Sequence, residues 1–335
     1  MCCVSSTSTL PKHCMDFWEN FWGGVSLLIA GLFILCSFVY SVLLNIVTED
    51  DPASFILLAT MVFSEFALLM WSYGATHFTR PPDIPAKYHF TSEEWSFLEE
   101  HGFQTEAVRE RLSAMAVQRG VRTRSYSGHV NYCYQCRLIK PERTHHCSMC
   151  RRCIARMDHH CPYFGNCIHF SNFKFFVLTL FHASLACLLI VLSTVVYVVV
   201  HGRGLHRMYD NIPAMVVFGF MMGVCIIIVF TIGGFFCVSM KQAIHNMTTL
   251  ESIGGTVLFA DGTKETYDLG SYMMNLRQLF GPVMIAWFVP IYSTPGDGMT
   301  FLVRSELPKE DKQRKQERKL KPTNFLESRG AVGPS

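Results

Sequence analysis

Charge is scarce in this chain of 335 residues: 16% are Asp, Glu, Lys or Arg, while half are apolar. A typical soluble domain carries about 25% charged residues, so an ordinary soluble protein is excluded and residence in a membrane is indicated. A net charge of +3 is a small basic surplus that says little by itself, and no nucleic-acid partner is expected. The opening MCCVSSTSTLPKHC lacks the charged n-region, short apolar core and small-residue cleavage site of a secretory signal, so no cleaved leader is expected. Nor do the fourteen cysteines have the spacing of a secreted disulfide scaffold. Seven of them crowd between Cys133 and Cys167 and the others are scattered, several within apolar runs. That crowding points to metal binding or thiol chemistry. Cys2 and Cys3, near the first apolar run, read either as lipid-bearing thiols or as plain terminal cysteines.

Four stretches reach the roughly 20 apolar residues that a spanning helix needs: about 22–47, 54–76, 173–200 and 214–240. Their charged exceptions are Glu65, mid-span and expected to face the bundle interior, and Lys174 at an edge. Trp18, Trp22, Trp71 and Tyr73 fall near span ends, where amphipathic rings favour the interface. The link TEDDPA has no Lys or Arg and the link 201–213 has two, whereas 77–172 carries thirteen and the segment from Lys241 onward twelve. The positive-inside rule then puts both termini and the central loop in the cytosol. The expected organisation is a cytosolic N-terminus (1–21), two spans (22–76) and a cytosolic loop (77–172) with its cysteine-rich part at 133–172. Two more spans (173–240), a cytosolic C-terminal region (241–305) and a disordered basic tail (306–335) follow. This is an α-helical multi-pass membrane protein.

Within the loop, TRPPDIP leaves the membrane as an extended strap. Thr91-x-x-Glu94 resembles a capping box that opens a short helix; Gly102 interrupts it, and a second helical run reaches about residue 118. An amphipathic or interfacial stretch is expected over 271–290. The run KEDKQRKQERKLK in the tail reads as a solvated segment with a weak attraction to anionic lipid.

The cysteine ladder reads CYQCRLIKPERTHHCSMCRRCIARMDHHCPYFGNC. Each Cys-x-x-Cys pair, Cys133/Cys136 and Cys147/Cys150, can present two thiolates to one tetrahedral metal. Joining the two pairs makes one four-cysteine site; two sites of three cysteines and one histidine use six cysteines and leave one. Spacing leaves both solutions open, although the second strands fewer polar groups. The first leaves Cys153, Cys161 and Cys167 spare, the second a single cysteine. Cys161 follows Asp158, His159 and His160, and this order can supply a nucleophile, a base and a group that fixes the base's tautomer. The motif lies a dozen residues before the third apolar span, so its thiol belongs at the membrane surface.

These residues resemble the DHHC-type protein S-acyltransferases, or palmitoyltransferases. Asp158-His159-His160-Cys161 stands as that family's signature, and the CxxC…HHCxxCxxC pattern flanks it. Asn172, Phe175 and Phe176 entering the third span agree, as does the four-span pattern. Thr248-Thr249-Leu250-Glu251 matches the family's TTxE motif, and Asn275 in NLRQLFG with PGDG at 295–298 resembles its C-terminal region. The likeness covers most of 15–305.

The resemblance implies a cytosolic domain with two structural zinc ions between helices 2 and 3. One zinc would take Cys133, Cys136, His146 and Cys153; the other would take Cys147, Cys150, His160 and Cys167. Cys161 becomes the nucleophile, His159 its base and Asp158 the group orienting His159. The reaction implied is a two-step transfer: a long-chain acyl group passes from acyl-coenzyme A to Cys161, then to a cysteine of a membrane-associated client protein. Lys140 and Arg143, with Arg151 and Arg152, are candidates for the coenzyme A phosphates or are surface cations. Ala183, Ser184 and Ala186 either leave room for the chain or mark close helix packing. The Golgi is the family's commonest address, other endomembranes and the plasma membrane being alternatives, and an accessory subunit or a second copy is compatible with the sequence. Two departures stand out: Tyr163 replaces the family's usual Trp, and Phe164-Gly165-Asn166 replaces Val-Asn-Asn, which puts rate and client choice at issue. A zinc-binding membrane scaffold without catalysis is the main rival reading. It is opposed by the intact Asp158, His159 and Cys161. A channel and a thiol oxidoreductase fit less of the pattern.

Overall fold

The structure, a computed structural model, describes residues 12–44, 46–47, 51–201, 209–254 and 257–307. Cys2, Cys3, the cations of the 201–213 link and the basic tail lie outside these residues. Four long helices carry the apolar runs: α1 (Lys12–Phe38), α2 (Pro52–Phe78), α5 (Phe173–His201) and α6 (Ile212–Ile244). The sequence sets two of the starts. Asp51 accepts a hydrogen bond from the Ser54 N–H ahead of Pro52, and Asn211 accepts one from Ala214 beside Pro213. Both combine an N-cap oxygen with a proline in the first turn. The first run does not continue as α-helix to residue 47: α1 passes into a π-helical turn at Val39–Leu43, whose Ser41, Val42 and Leu43 are buried.

Helix α5 is central, packing along α2 on one side and α6 on the other, while α1 leans on α6. Ile29, Leu57, Val199 and Phe230 are more than 60% exposed on the outside of this bundle. An apolar exterior of that extent belongs in lipid. Glu65 does face a neighbour: its carboxylate lies 2.9 Å from His182 Nδ1 on α5. Ser184 lies opposite Gly233, 3.6 Å from where a Cβ there would be, so close helix packing is what this small residue serves.

Between α2 and α5 lies the expected loop domain. Thr91 and Glu94 form their capping box with bonds of 2.8 and 3.2 Å. Helix α3 (Ser92–His101) ends at Gly102 with φ +74°, and α4 (Glu106–Gln118) follows. Strand β1 (Thr123–Arg124) leads into three antiparallel hairpins: β2/β3 (Tyr132–Cys133, Leu138–Ile139), β4/β5 (His145–Cys147, Arg152–Ile154) and β6/β7 (His159–Cys161, Asn166–Ile168). After α6 come a short α7 (Thr249–Gly254), the hairpin β8/β9 (Val257–Phe259, Lys264–Glu265) and α8 (Tyr272–Phe280). β8 pairs with β1, Thr123 opposite Phe259, which fastens the segment after the last span onto the segment before the cysteine ladder. Asn275 completes the fastening: its amide donates to the Ile244 carbonyl and to Asp268, and its oxygen accepts from Leu269 N–H.

Candidate active site

Strand periodicity explains the DHHC spacing. Side chains on a strand alternate between faces, so on β6 His159 and Cys161 share one face while His160 points from the other. In the β6/β7 register His160 lies opposite Cys167. The β4/β5 hairpin repeats the arrangement, with His146 opposite Cys153. Each Cys-x-x-Cys knuckle then closes one set of four.

Cys133, Cys136, His146 and Cys153 form one cluster and Cys147, Cys150, His160 and Cys167 a second; in each, the ligand atoms lie within 4.8 Å of one another. Within the second, His160 Nδ1 lies 3.6, 3.4 and 3.5 Å from the three sulfurs. A tetrahedral zinc with bonds of about 2.0–2.3 Å sets ligand atoms roughly 3.5–3.8 Å apart, so the donor sets and their spacing fit zinc. Each set supplies four protein ligands and leaves no position open for water, which is the pattern of a structural site. The backbone N–H groups of Cys136 and Cys150 point back at Cys133 and Cys147 sulfur, at 3.4 and 3.3 Å. Arg137 and Arg151, which follow the knuckles, take left-handed conformations with φ of 50° and 53°. Gly165 holds the corresponding place after the Cys161 turn, at φ +57°. A glycine there removes the steric cost of that conformation, which gives the Gly165 departure a backbone reason.

On the opposite face, Asp158 Oδ2 is 2.7 Å from His159 Nδ1. A carboxylate can only accept, so Nδ1 carries the proton and Nε2 is the basic nitrogen. His159 is also within hydrogen-bonding reach of the Cys161 thiol. Burial opposes charge on His159, but the bonds to Asp158 and Cys161 outweigh it and push its pKa up to about 9. Asp158 is 1% exposed. Burial works against its ionisation too, yet His159 and Thr249 hold it below the usual carboxylate range. The ring of His159 stands edge-on to Phe176 of α5, with centroids 5.4 Å apart. Cys161 itself is buried in a cluster with Phe164, Phe176, Leu180 and, on α6, Ile232 and Phe236. The thiol therefore sits at the head of an apolar seam between α5 and α6.

The TTxE residues have a physical explanation. Thr248 and Glu251 form a reciprocal capping box at the start of α7, with bonds of 2.9 and 3.2 Å. Thr249, between them, gives both its N–H (2.9 Å) and its hydroxyl (2.8 Å) to Asp158. Glu251 also takes a fork from Arg143, at 2.7 and 2.6 Å. Arg143 gives further bonds to Asn246 and stacks over Tyr267 at 4.3 Å. Arg143 is therefore buried, with its guanidinium engaged by Glu251 and Asn246, and it also lines the polar cavity that Lys140 lines. Arg152 is likewise paired, with Asp83 at 2.8 Å. Lys140 does line a polar cavity of ≈ 200 Å³, with Arg124, Asn131, His145 and Leu250. Burial, and then Lys140, push the pKa of His145 down there.

Removing one partner of a buried ion pair typically costs about 3–5 kcal/mol. Glu251→Ala is accordingly expected to lower the midpoint of thermal unfolding of the detergent-solubilised protein by several degrees, and to loosen Asp158 with α7. An unchanged midpoint would show that the Arg143 fork is not holding α7.

Some functional neighbours carry no motif. Arg156 is 0% exposed and none of its guanidinium nitrogens has a hydrogen-bond acceptor among the described residues. It stacks 4.7 Å over the Phe173 ring. Burial beside Arg143 lowers its pKa to about 9, with Glu251 and Asp158 opposing. Its place one residue before Met157-Asp158 was the only available signal, and a lone arginine there is unremarkable in sequence.

Residues 127–255 match a family model described as DHHC palmitoyltransferase. Palmitoyltransferase ZDHHC15 of Homo sapiens is 35% identical over 287 residues, covering 84% of this chain and 82% of that protein. Palmitoyltransferase ZDHHC2 of Rattus norvegicus is 35% identical over 266 residues, 79% of this chain and 71% of that protein. Palmitoyltransferase ZDHHC20-A of Danio rerio is 30% identical over 295 residues, 88% of this chain and 81% of that protein.

Proposed function

The chain belongs to the DHHC palmitoyltransferase family and is a protein S-palmitoyltransferase of the membrane; from that premise we propose that Cys161 is the acyl-carrying nucleophile and acyl-coenzyme A the donor. The observation that carries this reading is the chain Thr249–Asp158–His159 ending at the Cys161 thiol, at the head of an apolar seam.

In the first step His159 Nε2 holds the proton given up by the Cys161 thiol, and the resulting thiolate attacks the thioester carbonyl. The coenzyme A sulfur leaves and receives that proton. In the second step a client cysteine gives its proton to His159 and attacks the acyl-Cys161 carbonyl; Cys161 leaves and is reprotonated. One thioester is exchanged for another at each step, so no further energy source is needed. Asp158 keeps the basic nitrogen of His159 toward sulfur throughout. The two four-ligand clusters would hold zinc, which supplies the fixed shape of the hairpins and no chemistry. Each buried methylene of the acyl tail contributes about 0.8 kcal/mol, so lodging the chain along Phe176, Leu180, Ile232 and Phe236 accounts for much of the affinity.

The thirteen cations of the loop 77–172 support a cytosolic active site, where client proteins meet the same membrane. The cavity lined by Lys140, Arg124 and Arg143 supports phosphate binding there. The test is transfer of labelled palmitate from palmitoyl-coenzyme A to a cysteine peptide anchored in vesicles containing the purified protein. Transfer is expected with native protein. Lys140→Glu is expected to raise KM for palmitoyl-coenzyme A several-fold while leaving kcat near native. Absence of transfer by protein that holds two zincs per chain would contradict the proposal.

A further inference from the structure

The turn that follows the nucleophile is gripped by the first two membrane helices through its backbone. Cys161–Phe164 closes as a turn, the Phe164 N–H donating to the Cys161 carbonyl at 3.2 Å. The Pro162 carbonyl accepts from the Gly165 N–H at 3.2 Å, and the two carbonyls after it are each taken by a side chain of α2. Tyr73 donates its hydroxyl to the Tyr163 carbonyl at 3.1 Å. His77 Nδ1 lies 2.6 Å from the Phe164 carbonyl. Since a carbonyl only accepts, His77 Nδ1 carries a proton and donates it. One turn apart on α2, Tyr73 and His77 lie on the same face, and their rings are parallel with centroids 6.4 Å apart. From the other side, α1 brings the backbone of Gly23 against Pro162. A Cβ on Gly23 would fall 2.6 Å from the Pro162 carbonyl oxygen and 3.2 Å from Tyr163 Cα. Asn166, just beyond the turn, donates to the carbonyls of Thr76, His77 and Thr79 at the end of α2.

We propose that His77 is a positioning residue for Cys161: with Tyr73, and with Gly23 closing from α1, it clamps the Pro162–Phe164 turn and so fixes the nucleophile over the apolar seam. The inference rests on Cys161 being the acylated residue. It follows from how little else holds the turn. Cys161 itself is fixed by β6, but the strand ends there and the partner strand resumes only at Asn166; within the turn the Cys161 and Pro162 carbonyls are bonded by Phe164 and Gly165 N–H, which leaves the Tyr163 and Phe164 carbonyls to the α2 side chains. Leaving them loose would let the thiol drift relative to His159, and small misplacements of a reacting atom are costly in rate. The clamp also explains how Tyr163 can be 55% exposed while its backbone stays fixed: the side chain is not what anchors the turn. A glycine at 165 and a tyrosine at 163 are then tolerated, because the constraint runs through main-chain oxygens.

The experiment compares acyl-enzyme formation by the native chain, His77→Leu, His77→Asn and Gly23→Ala, each purified with its zinc content measured. His77→Leu removes the donor and is expected to lower the rate constant of Cys161 acylation about tenfold, leaving KM for palmitoyl-coenzyme A and the two zincs per chain unchanged. Asn places an amide N–H near the position of Nδ1, so His77→Asn is expected to recover most of that loss. Gly23→Ala, pushing on Pro162 from the opposite side, is expected to slow acylation with His77 intact. Native rates in both His77 variants would overturn the proposal, as would equal loss in both accompanied by loss of zinc, since that pattern reports general misfolding and not the donated bond. Should the native chain fail to acylate at all, the assignment of Cys161 falls and not the clamp alone.

Discussion

Cys153→Ala is expected to leave the protein with one zinc per chain and to unfold the cysteine-rich hairpins, abolishing activity. Cys153 lies opposite His146 in the β4/β5 register and closes the cluster begun by Cys133 and Cys136. The strands there are two or three residues long, and isolated hairpins of that length have no independent stability. The small apolar clusters around them consist largely of the ligand cysteines themselves, with Leu138, Ile154 and Met157. Structural zinc contributes about 10–16 kcal/mol of apparent folding free energy in small zinc domains, far more than these few side chains supply by burial. Metal analysis of the purified variant, with limited proteolysis across 130–170, reads the result. Two zincs and native protection would mean that Cys153 is not a zinc ligand.

Asp158→Asn is expected to retain both zincs and the fold while lowering the rate of Cys161 acylation by about 10²–10³-fold. The two side chains are nearly isosteric, so the N–H of Thr249 keeps an acceptor. What changes is the sign of the partner facing His159: an amide N–H cannot accept from Nδ1–H. The imidazole then moves its proton to Nε2 and offers sulfur a donor in place of a base. A thiol needs less help than a hydroxyl, which keeps the fall below that of serine triads. KM for palmitoyl-coenzyme A should be unchanged, because Asp158 is 1% exposed and, among the described residues, its carboxylate accepts hydrogen bonds from His159 and from the Thr249 N–H and hydroxyl. A rate within threefold of native would remove Asp158 from the catalytic chain.

Much of this architecture was legible in the residues. Four long apolar runs made the bundle readable, because a bilayer imposes length and composition directly on sequence. Local chemistry was readable for the same reason: Thr91-x-x-Glu94 and the Cys-x-x-Cys knuckles are close in sequence and act within a turn. Spacing alone left the pairing of the cysteine ladder open, and what separates the two sets in space is the alternation along β6 and the registers of β4/β5 and β6/β7. The burial of Arg143 was hidden for a related reason. Its carboxylate partner, Glu251, is 108 residues away, across two membrane helices, and nothing in KPERT announces it. His77 was silent too. A histidine at the end of an apolar run looks like an interfacial residue until the turn at Phe164 is folded against it. Contacts between distant segments, made to main-chain oxygens that every residue carries, leave no trace in composition or periodicity.

The most direct test of the account is the site of acylation. Purified native protein and Cys161→Ser, each shown to hold two zincs, would be incubated with labelled palmitoyl-coenzyme A, treated with neutral hydroxylamine, and mapped by peptide mass. The account predicts one hydroxylamine-labile palmitoyl group on the peptide containing Cys161, and none on Cys161→Ser. Equal labelling of the two proteins, on Cys2, Cys3 or any other cysteine, would contradict it.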